Sequence, residues 1–278
     1  MDKQKQYLLI TNSTALAGST LTLGQNTRLL DEGISSEGKT IAEQLLNLDL
    51  KTAYDAAVKD AENHQMWSSY RVKTLAGKAL KSYGFDFNTV HGESALQELC
   101  HEANEARMHS RTLKEEGLYA ASFAIHFRAS QAKFWPEGND IMARLLMNML
   151  QIEFGLEPLS VKDAEEYKKV LEAAVSEGNA EIFTSRVSKI LAPVEKCPQL
   201  VSSTGSTQSI NPAHEAPIKN STRILDILTL HPRYTTEDLA EVLQISAKGV
   251  EKHLAKLKKS GALLRIGPDK GGHWLVKK

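Results

Sequence analysis

The stretch Lys133–Gln151, KFWPEGNDIMARLLMNMLQ, decides how the rest of the chain is read. Pro136, Glu137, Gly138 and Asn139 spell a turn, and a long apolar run follows at once. Ile141, Met142, Leu145, Leu146, Met149 and Leu150 cover most of a helical circumference, the mark of a helix buried on nearly every side. The polar exceptions, Asp140, Arg144, Asn148 and Gln151, recur at helical spacing and share one stripe. A turn that delivers free backbone N–H groups to the start of such a helix suits an anion. A core helix with a tight lead-in is the plainer alternative.

Outward from this stretch the pattern stays helical. Leu118–Ala132 reads as a second buried helix, with Tyr119, Phe123 and Phe127 on one stripe and His126 among them as a core histidine. Two helices are expected between Ile41 and Lys81, a polar helix over Gly92–Glu116, and amphipathic helices over Ser160–Ser176 and Ala180–Leu191. His101, Glu105 and His109 share a face of the polar helix, but two histidines two turns apart do not converge on one metal, and a solvated face is expected. Cys100 and Cys197 form no CxxC pair, which points away from a disulfide framework or zinc finger. No run reaches the roughly 18 apolar residues of a membrane span, the N-terminus lacks a signal peptide's apolar core, and the cytoplasm is the expected compartment.

The motif Lys133–Asn148 resembles the signature of the Fic (Fido) family, H-P-F-x-D/E-G-N-G-R-x-x-R followed by L-L-M-N. Glu137, Gly138, Asn139, Arg144 and Leu145–Asn148 match it. Lys133 stands in the place of the family's catalytic His, Phe134 in that of Pro, Trp135 in that of Phe, Asp140 in that of the second Gly and Ile141 in that of the first Arg. Upstream, AIHFRASQA (Ala124–Ala132) is similar to the family's A-x-x-H-Y-R-F, and the likeness runs from about Ser13 to about Leu191. Ser13 and Gly18 match an inhibitory-helix pattern, S/T-x-x-x-E-G/N, whose glutamate would be Ala17. In the family that glutamate pairs with the second Arg, so without it this route of autoinhibition is not expected.

The resemblance implies a mainly α fold, a Fic-like helical core, with ATP and Mg²⁺ as the family's cofactors and AMP transfer to a protein hydroxyl as its reaction. On this chain it assigns Lys133 the base position, Gly138, Asn139 and Arg144 the phosphate contacts, and Glu137 the Mg²⁺ ligand. The substitutions cut against that chemistry. Imidazole titrates near 6.5 and lysine near 10.4, so Lys133 serves as a base only under deep burial. Asp140 places a carboxylate at the helix start, competes with phosphate there, and sits four residues before Arg144, at a spacing that allows pairing. The leading reading is a degenerate Fic domain impaired in AMP transfer and kept as a binding module, with a protein partner at its groove. The alternative is a divergent nucleotidyltransferase with a non-histidine site.

Zero net charge hides an asymmetry. Residues 221–278 carry 11 Lys/Arg against 6 Asp/Glu, leaving the first 220 residues net negative. Cys197–Asn220 is Ser/Thr/Pro-rich and reads as a linker between a 1–40 segment plus 41–196 core and a 221–278 tail. In that tail Arg223–His231 reads as a helix ended by Pro232, Thr235 or Thr236 caps a second, and Ile245-Ser246 turns into a third. Gly261 ends the third helix, and strands Leu263–Ile266 and His273–Val276 flank a GPDKGG turn. The order resembles a winged helix, a small α/β domain. Ile245, Val250, Leu254 and Leu257 are expected to face inward, while Lys248, Lys252, Lys256 and Lys259, with Lys270 in the turn, offer charge to duplex DNA. A protein-docking winged helix is the competing reading, and a homodimer is the expectation for palindromic operators.

Overall fold

α7 (Asn139–Glu153) stands where the apolar run places it, and every residue from Ile141 to Gln151 is buried. The structure, a computed structural model, describes residues 1–197, 224–225, 227–228, 232–243, 246–267 and 272–276. Around α7 pack α1 (Lys3–Leu16), α3 (Ile41–Glu62), α4 (Ser69–Ala79), α5 (Glu93–His109) and α6 (Glu115–Ala132), with α2 (Leu23–Glu32) following α1. Short polar side chains start several of these helices by accepting an orphan N–H. Asp2 accepts from Lys5, Ser68 from Arg71, and Asp163 from Glu166 at the head of α8 (Ala164–Glu177).

α7 keeps its polar stripe inside the protein by satisfying it. Tyr54 of α3 donates to Asn148 Oδ1 at 2.7 Å, and Asn148 Nδ2 donates to Gln151 Oε1 and to the Leu159 carbonyl. Gln151 in turn donates to Ser122 and accepts the Leu159 N–H. α1 is unusual in the same way. Its first half buries Tyr7, Leu9 and Ile10, whereas its second half buries Thr11, Asn12, Ser13 and Thr14.

Three expectations need correction. The polar helix over Gly92–Glu116 is interrupted: α5 ends at His109, a 3-10 turn covers Ser110–Thr112, and α6 begins at Glu115. Ser110 and Thr112 hydroxyls donate back to the Arg107 and His109 carbonyls, a local alternative to helix continuation. Ser160 is not helical, because Leu159–Val161 forms strand β1, antiparallel to β2 (Leu191–Pro193) with Ser160 opposite Ala192. The helix expected over Ala180–Leu191 breaks into α9 (Ala180–Thr184) and α10 (Val187–Ile190). A satellite core of Phe127, Met147, Val161, Tyr167, Phe183 and Ile190 closes this end. Each such fully buried side chain contributes roughly 1.5–3 kcal/mol.

The chain divides into two compact units, Met1–Leu30 with Ala42–Thr204, and Asp31–Ile41 with Gly205–Lys278. In the second, Ile224, Leu225, Ile227 and Leu228 are helical and precede α11 (Thr236–Leu243) and α12 (Ala247–Lys259). Strands β3 (Leu263–Ile266) and β4 (His273–Val276) pair antiparallel, Leu264 opposite Leu275. Their bounds are those read from the sequence. Thr235 and Asp238 form a reciprocal cap at the head of α11, and Ser246 accepts the Gly249 N–H at the head of α12. Val250, Leu254 and Leu257 are buried with Leu239, Leu263 and Trp274. Ile245, Lys270 and the linker from Pro198 to Asn220 lie outside the described residues. Among the described residues no helix is long and apolar enough to cross a membrane, and Cys100 and Cys197 are free and buried.

Candidate functional site

α6 ends at Ala132, and Lys133 takes the left-handed C-cap, φ 48° and ψ 58°. That reversal turns Phe134 and Trp135 into the core, where both are buried. The loop is then tied on each side. His91 N–H donates to the Phe134 carbonyl at 2.9 Å, and the Trp135 indole donates to the Phe87 carbonyl at 3.3 Å. Asn139 closes the loop on itself: its Oδ1 accepts the Trp135 N–H at 3.0 Å and its Nδ2 donates to the Trp135 carbonyl at 2.6 Å. Gly138 precedes α7 with φ 76°, and a Cβ there would lie 2.4 Å from Leu80 Cδ2. Both facts require glycine.

Lys133 is exposed, the opposite of the deep burial a lysine base requires. Glu137 and Asp140 are exposed on the lip of the loop, and neither has an ion-pair partner among the described residues. Asp140 therefore does not pair with Arg144, contrary to what their spacing allows. Arg144 instead points inward and is only 5% exposed. Its Nε donates to Ser13 Oγ at 2.9 Å, its Nη2 to the Ser13 carbonyl at 3.1 Å, and its Nη1 to the Tyr167 hydroxyl at 3.4 Å. The guanidinium also lies over the Tyr167 ring. Each of these hydrogen-bond partners is neutral, so among the described residues the buried guanidinium makes no direct ion pair. α1 covers this arginine through Ser13, although Ala17, at the C-cap of α1, has no carboxylate to offer.

Tyr167 hands the network on to His126, whose Nε2 is 2.9 Å from the Tyr167 hydroxyl. His126 is stacked on Phe183 and fully buried, as a core histidine. Burial, with Arg144 adding to it, drives its pKa down to about 3, so the ring is neutral across the physiological range. On the polar helix His101 is exposed, and His109 Nδ1 lies 2.9 Å from the Glu105 carbonyl.

Residues beyond the motif also reach the loop. Tyr83 has its hydroxyl pushed above the ordinary tyrosine value, chiefly by burial, with Glu137 raising it further and Arg144 opposing. Asp49 of α3 accepts the Ser82 N–H at 2.6 Å. Burial raises its carboxyl to about 6, against the Ser82 hydrogen bonds and Lys81, which lower it. Tyr83 and Asp49 carry no sequence signal, because only folding brings Tyr83 into the field of Glu137 and Arg144 and Asp49 onto Ser82. Ser13 and Tyr167 were visible only as a pattern match and as a face of an amphipathic helix.

On the second unit, Lys248, Lys252, Lys256 and Lys259 are all exposed on α12, within one arc of the helix. Trp274 of β4, opposite Arg265, has Lys258 Nζ at 5.0 Å and the Arg265 guanidinium at 4.7 Å from its ring. Its indole donates to the Tyr234 carbonyl at 3.0 Å, which ties β4 to the segment before α11.

The helical core is a Fic fold, and the tail is a winged helix-turn-helix domain. A family model described as winged helix-turn-helix DNA-binding matches residues 219–263. The chain has Fic-family homologues: protein adenylyltransferase fic-1 of Caenorhabditis briggsae is 27% identical over 207 residues, 68% of this chain and 40% of that protein. The chain thus spans about two-fifths of that relative's length. Among solved structures, Fic-1 of C. elegans superposes with a TM-score of 0.55 at 19% identity, covering 67% of this chain and 60% of that one. A Fic domain containing signaling protein from Bacteroides thetaiotaomicron gives 0.56 at 15% identity, covering 87% and 88% of the two chains. A Fic family protein from Desulfovibrio desulfuricans gives 0.51 at 14%, covering 99% and 87%.

Proposed function

We propose that the Fic-fold unit does not carry out AMP transfer and serves as a binding and regulatory module for a DNA-binding winged helix. The observation that carries this reading is the seal on Arg144. The motif's one retained arginine is buried, and α1 takes up its donors through Ser13. The remaining residues do not fit Mg-ATP as they stand. Asn139 is spent within its own loop, Glu137 is a lone exposed carboxylate, Asp140 adds a second negative charge at the helix start, and Ile141 is buried where a cation belongs. Lys133 is exposed, and losing a positioned base costs roughly 10²–10⁴-fold in rate.

Transfer assays with labelled ATP, Mg²⁺ and the full chain test this directly. The expected result is no labelling of any protein above that seen with the Lys133→Ala variant. Robust labelling that disappears in Lys133→Ala overturns it. A second reading, a divergent nucleotidyltransferase, draws support from the neutral partners of Arg144, since a phosphate would complement that charge better than a serine does. Saturable nucleotide binding that is weakened in Arg144→Gln favours this reading, and absence of binding removes it.

The DNA role rests on the four exposed lysines of α12 and their cap at Ser246. Duplex DNA binding by the full chain should weaken as salt rises. Binding that is absent at low salt leaves protein docking as the role of the tail.

A further inference from the structure

The 3-10 turn Lys81–Tyr83 follows directly on a residue that touches the start of α7. Leu80, just ahead of it, is fully buried and places its methyl groups where a Cβ on Gly138 would stand. Tyr83 lies in the combined field of Glu137, Arg144 and Asp140. The turn is held from the opposite side by α3, where Asp49 Oδ2 accepts the Ser82 N–H at 2.6 Å. Lys81 is the charged group that acts on this carboxylate. A carboxylate in that place pins the turn by a charge-assisted hydrogen bond, about twice as strong as a neutral one.

We propose that Asp49 is the positioning residue of this site: ionised, it fixes the Lys81–Tyr83 turn, and protonated, it lets Tyr83 and Leu80 shift against the Gly138 loop. The site's shape then answers to mild acid, through a residue that no motif match singles out. Burial brings the carboxyl to about 6, within reach of a modest change in pH. The proposal rests on taking the Gly138–Arg144 region as the site, but its test needs no ligand, so failure of nucleotide binding and failure of this coupling are read separately.

The test is a titration of the ¹³C,¹⁵N-labelled full chain between roughly pH 4.5 and 7.5, following backbone amides and side-chain carboxyl carbons. Ser82, Tyr83 and Gly138 are expected to shift together with a common midpoint near 6, and all three curves flatten in Asp49→Asn. The amide of asparagine keeps an acceptor for the Ser82 N–H, and the Asp49 carboxyl carbon signal of the wild type supplies the same midpoint should the variant not fold. A flat Ser82 amide overturns the proposal. So does a Ser82 amide that titrates while Tyr83 and Gly138 stay still, since Asp49 is then a local cap and nothing more.

Discussion

Removing the Ser13 hydroxyl isolates the contact on which the functional reading depends. Ser13→Ala leaves the Arg144 Nε–H with no acceptor from residue 13 except the carbonyl already engaged by Nη2 at 3.1 Å. Because the guanidinium is 5% exposed, water cannot readily take over. A hydrogen bond to a charged group contributes about 1.5–3 kcal/mol, and with one of two Ser13 contacts surviving, a loss of about 2 kcal/mol is expected. Arg144→Met removes the buried charge as well as its bonds, so its cost is offset by relief of desolvation. In the Arg144→Met background the Ser13 hydroxyl has no cation to serve, and its removal should cost little. The cycle therefore closes with a coupling energy of about 1.5–2 kcal/mol. Urea denaturation of all four proteins, followed by far-UV circular dichroism with the m-value held in common, measures it. A coupling below about 0.5 kcal/mol means that Ser13 does not hold Arg144, and the sealed-site argument fails with it.

Gly138→Ala should destabilise by about 2–4 kcal/mol, the sum of a left-handed φ and a clash with Leu80. In a Leu80→Ala background only the dihedral part, about 1 kcal/mol, should remain, and equal costs in both backgrounds would reject the contact. Asp49 binds a proton more tightly folded, near 6, than unfolded, near 3.8, so its contribution to stability falls as pH rises from about 4 to 6. Asp49→Asn should therefore gain on the wild type over that window, up to a ceiling of roughly 3 kcal/mol at neutral pH that partial exposure reduces. A constant difference between the two proteins across the window speaks against this. Substituting Lys252 and Lys256 by Ala should lower the salt slope of DNA binding by about 2 if both meet phosphates. Unchanged slope and affinity would remove α12 as the DNA-facing element.

What the sequence discloses and what it hides follow from the range of the interactions. The described part of the winged helix is legible because its punctuation is local: Thr235 and Ser246 cap helices, Gly261 ends one with φ 75°, and β3 and β4 keep the bounds read from the sequence. α7 is legible because burial on all sides writes itself into composition. β1 and β2 escape notice, each being three residues long and paired across a separation of some thirty residues. The direction of Arg144 is equally hidden. Spacing offers it Asp140 four residues away, but the side chain finds Ser13 on a distant helix, because α7 turns that face inward. Lys133 could be placed by motif alone, but not its exposure, which depends on a backbone reversal at φ 48°.

The two halves of α1 are held by different forces. Its start is secured by Tyr7, Leu9 and Ile10, side chains whose return to water is costly. Its end, over Arg144, buries hydroxyls and amides, and Asn12 Oδ1 has no hydrogen-bond partner among the described residues. Those groups are paired inside the protein, Thr14 with Asn47, Thr11 with Asn26 and Ser13 with Arg144, so the end of the helix is held by direction where its start is held by area. An apolar replacement at any of them would strand a buried donor or acceptor, those of Arg144 among them.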